Sequence, residues 1–120
     1  MVLFINACVR KESRTKQLAD HVLSKLNEPY EEVYLNAIDF PVVDESFLGR
    51  RDRLIADREF GDPMFDLARQ FAEADEIVIA APFWDLSFPA RVYMYCGIAG
   101  YSFALSNEIC LDELCEVTIF

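Results

Sequence analysis

The chain has 120 residues, enough for a single domain, and its 53% of hydrophobic residues can form a buried core. Its formal net charge of −10 disfavours nucleic acid and anionic membranes as partners, because an acidic surface repels polyanions. The four cysteines form no C-x-x-C pair and the one histidine, His21, has no ligand-type neighbour at metal spacing, so neither a disulfide framework nor a metal site is expected.

The first third of the chain predicts a strand, a helix and a second strand. Residues 2–5 form a short apolar run typical of a buried strand, and we do not expect a signal peptide because no basic segment precedes it. A helix is predicted from near Ser13 to the break at residues 27–29, where a proline follows. Its predicted apolar face consists of Leu18, Val22 and Leu26, with Ala19 and Leu23 beside them. Residues 31–35 alternate and predict the second strand.

The middle of the chain predicts a charged surface excursion, then a helix and a third strand. Residues 39–60 are rich in arginine and aspartate and are interpreted as an excursion containing one short helix. Asp62-Pro63 is typical of a helix N-cap followed by proline at the first helical position. Leu67, Phe71 and Ala74 would form the buried stripe of that helix, and residues 76–82 are the third predicted strand.

The last part of the chain predicts a short helix over residues 88–94, which Gly97 and Gly100 would end. A small hairpin is predicted over residues 101–105 and 109–114, and a last strand over residues 116–120. Alternating strands and helices predict an α/β fold, in which helices cover both faces of a parallel sheet. No stretch approaches the roughly 18 apolar residues of a membrane span, and the cytoplasm is the expected compartment.

An aromatic turn follows the third predicted strand. The apolar run at residues 77–81 is typical of a strand buried on both faces. It is followed at once by Pro82, Phe83, Trp84, Asp85 and Leu86. Because open parallel sheets bind ligands just beyond the carboxyl ends of their strands, the two rings predict a flat apolar wall for a planar ligand. The alternative is that both rings only pack against the edge of the sheet.

A basic turn, residues 8–16, follows the first predicted strand. Four of the chain's eleven lysines and arginines lie in it: Arg10, Lys11, Arg14 and Lys16. The turn leads into a helix N-terminus, where free N–H groups and the helix dipole favour an anion, and Ser13 and Thr15 can add hydroxyl donors. The alternative is a solvated basic loop with Ser13 as a helix cap, since the turn has no glycine to let the backbone approach a phosphate.

The two turns are expected to lie side by side. The first and third strands are neighbours in the common doubly wound strand order, so both turns would lie at the switch point of the sheet. Adjacent loops there can hold a phosphate and a planar ring, and FMN has the shape that this pair requires.

The chain resembles the flavodoxin-fold NAD(P)H-dependent FMN oxidoreductases, a group that contains quinone reductases and FMN-dependent azoreductases. The resemblance is carried by residues 3–7, 12–19 and, most specifically, 73–90, which contain the aromatic turn. It implies a three-layer flavodoxin-like sheet and hydride transfer from NAD(P)H through FMN to a small-molecule acceptor of the quinone, azo or nitro type. It also implies a homodimer and no catalytic side-chain acid or base.

The resemblance assigns cofactor-binding roles to both turns. Ser13, Arg14 and Thr15 would bind the FMN phosphate, with Arg10 of the same basic turn beside them. The isoalloxazine ring would be lined by Pro82, Phe83, Trp84, Asp85 and Leu86. Many relatives have asparagine where this chain has Asp85, and a carboxylate there is expected to lower the reduction potential of the flavin. The single domain, residues 1–120, is expected to lack the last strand and helix of the fold and the loop that closes the flavin site.

Two alternatives remain open from the sequence. Cys8-x5-Arg14-Thr15 also fits the C-x5-R-[ST] spacing of low-molecular-weight tyrosine phosphatases, with Cys8 as a thiolate nucleophile, Arg14 binding phosphate and the aspartate of Asp62-Pro63 as the acid. In the other alternative, the chain is a non-catalytic remnant of the flavodoxin-like fold that binds an anion or a partner.

Overall fold

The structure, a computed structural model, describes residues 1–84, 86–99 and 116–119. Its strands and helices alternate along the chain. In chain order they are β1 (Val2–Asn6), α1 (Arg14–Leu26), β2 (Tyr30–Tyr34), α2 (Glu45–Ala56), α3 (Asp66–Glu73), β3 (Glu76–Ala80), α4 (Ala90–Ala99) and β4 (Glu116–Ile119). All neighbouring strands are parallel and the sheet order is β2-β1-β3-β4, which confirms the predicted doubly wound α/β sheet.

Strand β1 has a neighbour on each of its edges, and its register brings the two predicted turns together. Asn6, its last residue, is in register with Tyr34 of β2 and with Ala80 of β3. The Ala7 N–H donates to the Ala80 carbonyl at 2.8 Å, so the pairing continues one residue beyond the strand. The chain therefore leaves β1 and β3 side by side at the carboxyl edge of the sheet.

Each face of the sheet has its own apolar core, because successive strand side chains point to opposite faces. One core combines side chains of β1 and β3 with those of α3 and α4: Leu3, Ile5, Ile77, Ile79, Leu67, Phe71, Val92 and Tyr95. The other combines the same strands with α1: Val2, Phe4, Val78, Ala80, Ala19 and Leu23. Burial on both faces explains the continuous apolar runs of the two strands and confirms the three-layer arrangement.

Helix α1 begins where the sequence predicted, with Ser13 as its N-cap. One feature of its predicted apolar face is wrong, because Leu18 is 59% exposed while Ala19 and Leu23 are buried. Leu18 and Leu23 are five positions apart, which at about 100° per residue places them roughly 140° apart around the helix axis. The buried stripe is therefore centred on Ala19 and Leu23, with Val22 and Leu26 at its margin.

The excursion after β2 contains one helix, as predicted, and that helix is α2. Asp44 caps it, since its carboxylate accepts a hydrogen bond from the Phe47 N–H at 2.8 Å. None of the α2 residues is fully buried, and only Leu54 and Ile55 of this helix pack against the small cluster formed around Phe65. Helix α2 is thus a peripheral element, held to the fold by one edge.

Asp62 is an N-cap as predicted, but it caps a single 3-10 turn, Pro63–Phe65, and not α3 itself. Its carboxylate accepts from the Met64 N–H at 2.9 Å. The extra turn places the fully buried Phe65 edge-to-face with Phe60, their ring centroids 5.7 Å apart. Burial of Phe65 therefore accounts for the later start of α3.

The third strand and the last helix differ from their predicted lengths. Strand β3 ends at Ala80, two residues early, since Pro82 has no N–H for a ladder hydrogen bond. Helix α4 continues through Gly97 to Ala99, so the prediction that Gly97 ends it is wrong. An interior glycine costs a helix only about 1 kcal/mol, and the buried Tyr95 and Ile98 fix the helix on either side of it. The predicted hairpin over residues 101–105 and 109–114 lies outside the described residues.

Strand β4 occupies residues predicted to form the last strand, and it pairs in parallel with β3. Among the helices of the described ranges, none combines the length and the hydropathy that a membrane span requires.

Candidate functional site

The basic turn after β1 is shaped by side-chain amides. The Asn6 Oδ1 atom accepts a hydrogen bond from the Cys8 N–H at 2.9 Å, and the Asn6 Nδ2 group donates to Glu32 at 3.2 Å. The Cys8 carbonyl in turn accepts from Asn36 Nδ2 at 3.4 Å. Asn6 is 7% exposed, so these contacts fix the start of the turn within the carboxyl edge of the sheet.

The turn ends at the N-terminus of α1, where backbone donors are left over. The Ser13 Oγ atom accepts from the Lys16 N–H at 3.2 Å, and the Ser13 carbonyl accepts from the Gln17 N–H, also at 3.2 Å. The N–H groups of Arg14 and Thr15 precede the first intrahelical hydrogen bond and have no acceptor within the helix. Such a helix end attracts an anion by its free donors and by the helix dipole.

A cavity of about 330 Å³ lies at this helix end, and we call it the helix-end cavity. It is lined by Val9, Arg10, Glu12, Ser13, Arg14, Thr15, Pro82 and Trp84. Two arginines and one glutamate give it a positive balance in a chain whose net charge is −10. Lys16 is not part of the lining, because its ammonium group donates to Asp20 at 2.5 Å, a contact that raises the pKa of Lys16.

The aromatic turn after β3 is closed by two backbone hydrogen bonds. The Trp84 N–H donates to the Ser87 carbonyl at 2.7 Å, and the Ser87 N–H donates to the Trp84 carbonyl at 2.8 Å. Leu86 has a φ of 63°, in the left-handed region that residues other than glycine rarely adopt. Phe83 packs edge-to-face with Phe88, their ring centroids 5.4 Å apart. Trp84 is thus fixed at the base of a tight, strained turn.

A second cavity, of about 510 Å³, adjoins the first, and we call it the aromatic cavity. It is lined by Val9, Arg10, Phe83 and Trp84, and three of these, Val9, Arg10 and Trp84, also line the helix-end cavity. Because they share these residues, the two cavities lie side by side at the carboxyl edges of β1 and β3, and we call the pair the depression. One end of the depression offers donors and positive charge, and the other offers two aromatic side chains.

Residues 1–97 match the sequence model of a protein family that is described as having a flavodoxin-like fold. The chain belongs to this flavodoxin-like family. Among curated relatives, FMN-dependent NADH:quinone oxidoreductase 2 of Clostridium perfringens is 34% identical over 119 residues, and the corresponding enzyme of Clostridium beijerinckii is 36% identical over 122 residues. Each alignment covers 89% of this chain, which spans about 59% of the length of those relatives.

Solved structures show the same flavodoxin-like fold. An FMN-dependent NADH-azoreductase of Bacillus anthracis, crystallised in complex with FMN, superposes with a TM-score of 0.64 at 20% identity. The match covers 81% of this chain and 53% of the azoreductase. A second azoreductase, also from Bacillus anthracis, gives a TM-score of 0.59 at 22% identity, over 82% of this chain and 54% of its own length. At these identities the likeness establishes the fold alone.

Within the flavodoxin-like fold, six of the nine predicted cofactor-binding residues lie around the helix-end cavity: Arg10, Ser13, Arg14, Thr15, Pro82 and Trp84. Phe83 lines the aromatic cavity. Leu86 is 90% exposed at the tip of its turn and is not part of the lining of either cavity. Asp85 lies outside the described residues, so its predicted place beside the ring stays a prediction.

Two lining residues were missed by the sequence reasoning, Val9 and Glu12. Both lie inside the basic turn, so taking every residue of the turn as a candidate would have included them. Glu12 has no side-chain donor for an anion, so its residue type does not indicate a place in such a site. Its carboxylate reduces the positive balance of the helix-end cavity, which makes the contribution of the backbone donors more important there.

The phosphatase alternative does not fit the geometry around Cys8. This residue is 5% exposed and packs in the core between the sheet and α1. Its Sγ atom lies 3.8 Å from the Ala80 carbonyl, and Cys8 is absent from the lining of the helix-end cavity. A nucleophilic thiolate must reach its substrate, so this buried cysteine is a core residue. His21, the one histidine, is exposed.

Proposed function

We propose that this chain belongs to an FMN-dependent oxidoreductase that uses NAD(P)H to reduce a small-molecule acceptor of the quinone, azo or nitro type. The observation that carries the proposal is the position of the helix-end cavity beside the aromatic cavity, with three lining residues in common. FMN is an anion joined to a planar ring, and the two ends of the depression offer matching chemistry. The names of the curated relatives, FMN-dependent NADH:quinone oxidoreductases, support the same function.

The residues of the depression fit FMN. The N–H groups of Arg14 and Thr15, the Thr15 hydroxyl and the guanidinium groups of Arg10 and Arg14 would hold the phosphate, since oriented donors at a helix end bind such an anion. Trp84 and Phe83 would flank the ring. Both cavities have volumes in the range of about 300 to 1,000 Å³ that is typical of small-molecule sites.

FMN, when bound, supplies the hydride chemistry, and the protein supplies binding and orientation. The side chains that we assign to it are accordingly donors and aromatic rings, with no acid or base in a proton-transfer role. Arg10 lies between the two ends and would keep the phosphate end and the ring end in one orientation. Trp84 would cover one side of the ring and exclude water from it.

The test is a titration of the chain with FMN, in which the fluorescence of Trp84 is the measured signal. Since Trp84 is the only tryptophan of the chain, its quenching reports directly on the aromatic cavity. We expect saturable quenching and a yellow protein with flavin absorbance near about 450 nm. A Thr15→Val variant should bind FMN more weakly, and Lys25→Gln, in the last turn of α1 and outside both linings, should bind as the wild type does.

Activity is tested on the FMN-loaded chain with NADH and NADPH as donors and a quinone as acceptor. Quinone-dependent oxidation of either donor supports the oxidoreductase. A colourless chain whose Trp84 fluorescence does not respond to FMN contradicts the proposal and favours the non-catalytic alternative. The homodimer stays a prediction of the resemblance, and sedimentation of the FMN-loaded chain tests it.

A further inference from the structure

The strained turn at Trp84 needs support from outside itself. Leu86 is in the left-handed region, which costs a residue with a Cβ atom roughly 1–2 kcal/mol, and at 90% exposure it gains little packing to offset that cost. The two backbone hydrogen bonds between Trp84 and Ser87 close the turn but do not connect it to the body of the protein. The ring contact between Phe83 and Phe88 attaches the start of the turn to the core, and a contact from another element would fix its other end.

Tyr93 makes such a contact. The hydroxyl groups of Tyr93 and Ser87 lie 2.9 Å apart, at hydrogen-bonding distance. Ser87 is the residue whose backbone N–H and carbonyl both pair with Trp84. A constraint on the Ser87 side chain is therefore passed to Trp84 through two short backbone bonds.

Tyr93 itself lies on a fixed base, the first turn of α4. Arg91, two residues earlier, donates from one nitrogen to the carbonyls of Leu35 and Ile38, at 2.9 Å and 2.8 Å. Its guanidinium also lies 5.7 Å from the centre of the Phe40 ring. Together with the buried Tyr95, these contacts hold α4 against the segment after β2 and leave Tyr93 little freedom to move away from Ser87.

We propose that Tyr93 is a positioning residue, which holds the aromatic turn through Ser87 and so sets the place of Trp84 at the junction of the two cavities. Its consequence for FMN affinity rests on the proposed function, whereas its effect on Trp84 does not. Tyr93 is 55% exposed, so the hydroxyl group can be removed with little loss of packing.

A double-mutant cycle in the FMN-free chain tests the proposal. Tyr93→Phe, Ser87→Ala and the double variant are compared by acrylamide quenching and fluorescence anisotropy of Trp84. Each single variant should make Trp84 more accessible and more mobile, and the double variant should equal either single one, because all three lack the same hydrogen bond. Tyr30→Phe is the matched control. Tyr30 is also exposed, but it is in register with Val2 at the start of β1 and so lies at the edge of the sheet opposite to the aromatic turn.

FMN binding then tests the consequence for the site. Each single variant should raise the Kd for FMN by about two- to fivefold, the effect of one partly exposed hydrogen bond, and should lower the melting temperature of the chain by no more than a few degrees. Additive effects on Trp84, or a Trp84 signal equal to that of the wild type in Tyr93→Phe, would overturn the positioning role. If the wild type binds no FMN, the proposed function fails, and the measurements on the FMN-free chain still decide this inference.

Discussion

Replacing Arg14 with glutamine should weaken the binding of FMN and leave the binding of riboflavin unchanged. Arg14 is the first residue of α1, is exposed and lines the helix-end cavity. Riboflavin has the same ring and ribityl chain as FMN but no phosphate. A residue that acts only on the phosphate must therefore discriminate between the two ligands.

The expected magnitude follows from the exposure of Arg14. A hydrogen bond to a charged group contributes about 1.5–3 kcal/mol when it is shielded from water, and solvent screening of an exposed guanidinium reduces this to about 1 kcal/mol. A loss of about 1 kcal/mol raises Kd roughly fivefold. The effect is not larger because the backbone N–H groups of Arg14 and Thr15 remain in the variant and still donate to the phosphate.

Lys25→Gln is the matched control on the same helix. Lys25 lies in the last turn of α1, eleven positions from Arg14 and so about 16 Å away along the axis, twice the Debye length of about 8 Å at physiological ionic strength. Quenching of Trp84 gives Kd for both ligands in each variant. Two results would refute binding of the phosphate at the helix end. One is an equal loss of affinity for FMN and riboflavin in Arg14→Gln, and the other is a loss of FMN affinity in Lys25→Gln as large as that in Arg14→Gln.

Three further predictions concern stability. Leu23→Ala should lower the free energy of unfolding by about 2–4 kcal/mol, whereas Leu18→Ala on the exposed side of the same helix should change it by less than about 0.5 kcal/mol, both measured by urea unfolding. Ser13→Ala removes the cap of α1 and should cost about 1 kcal/mol in the same assay, a loss that Ser13→Asp should largely restore. Burial raises the pKa of Tyr95, so as pH rises the Tyr95 hydroxyl loses its proton in the unfolded chain before it does in the folded chain. The free energy of unfolding therefore falls as pH rises above about 10. Urea midpoints at pH 9 and pH 11 should differ less in Tyr95→Phe than in the wild type, and an unchanged difference would contradict the assignment to Tyr95.

Most of the fold could be predicted because the strands and helices have strong local signals. Strands β1 and β3 are continuous apolar runs, and such runs indicate burial on both faces. Ser13 and Asp62 were recognised as caps from residue type and position. The alternation of elements then gave the parallel sheet, since few other arrangements bury that pattern.

The errors arose where tertiary packing decides between local alternatives. Leu18 repeats at the spacing of Val22 and Leu26, and only the position of the sheet shows that the buried stripe passes through Ala19 and Leu23 instead. Gly97 is a weak helix former, yet the helix continues through it because Tyr95 and Ile98 are buried on either side. Neither outcome is contained in local propensity.

The proximity of the two turns could be predicted, but the way they are held could not. The sequence shows a basic turn and an aromatic turn after two strands that a doubly wound sheet makes neighbours. The left-handed Leu86 and the pairing of Trp84 with Ser87 have no sequence signal, since leucine and serine are ordinary in many conformations. Tyr93 lies six residues beyond Ser87, and its contact with Ser87 has no sequence signal because it depends on how α4 is anchored.

The absence of glycine from the basic turn disfavours an anion site in the sequence, and the structure shows how this turn forms without glycine. Glycine lets a backbone turn sharply and expose its N–H groups. Here the Asn6 side chain accepts from the Cys8 N–H two residues later, an arrangement by which asparagine produces a turn without glycine. The Asn36 side chain donates to the Cys8 carbonyl, so the backbone N–H and the carbonyl of Cys8 both have hydrogen-bond partners within the fold. At the other end of the turn, the N–H groups of Arg14 and Thr15 have no acceptor within the helix, and they lie beside the arginines of the helix-end cavity.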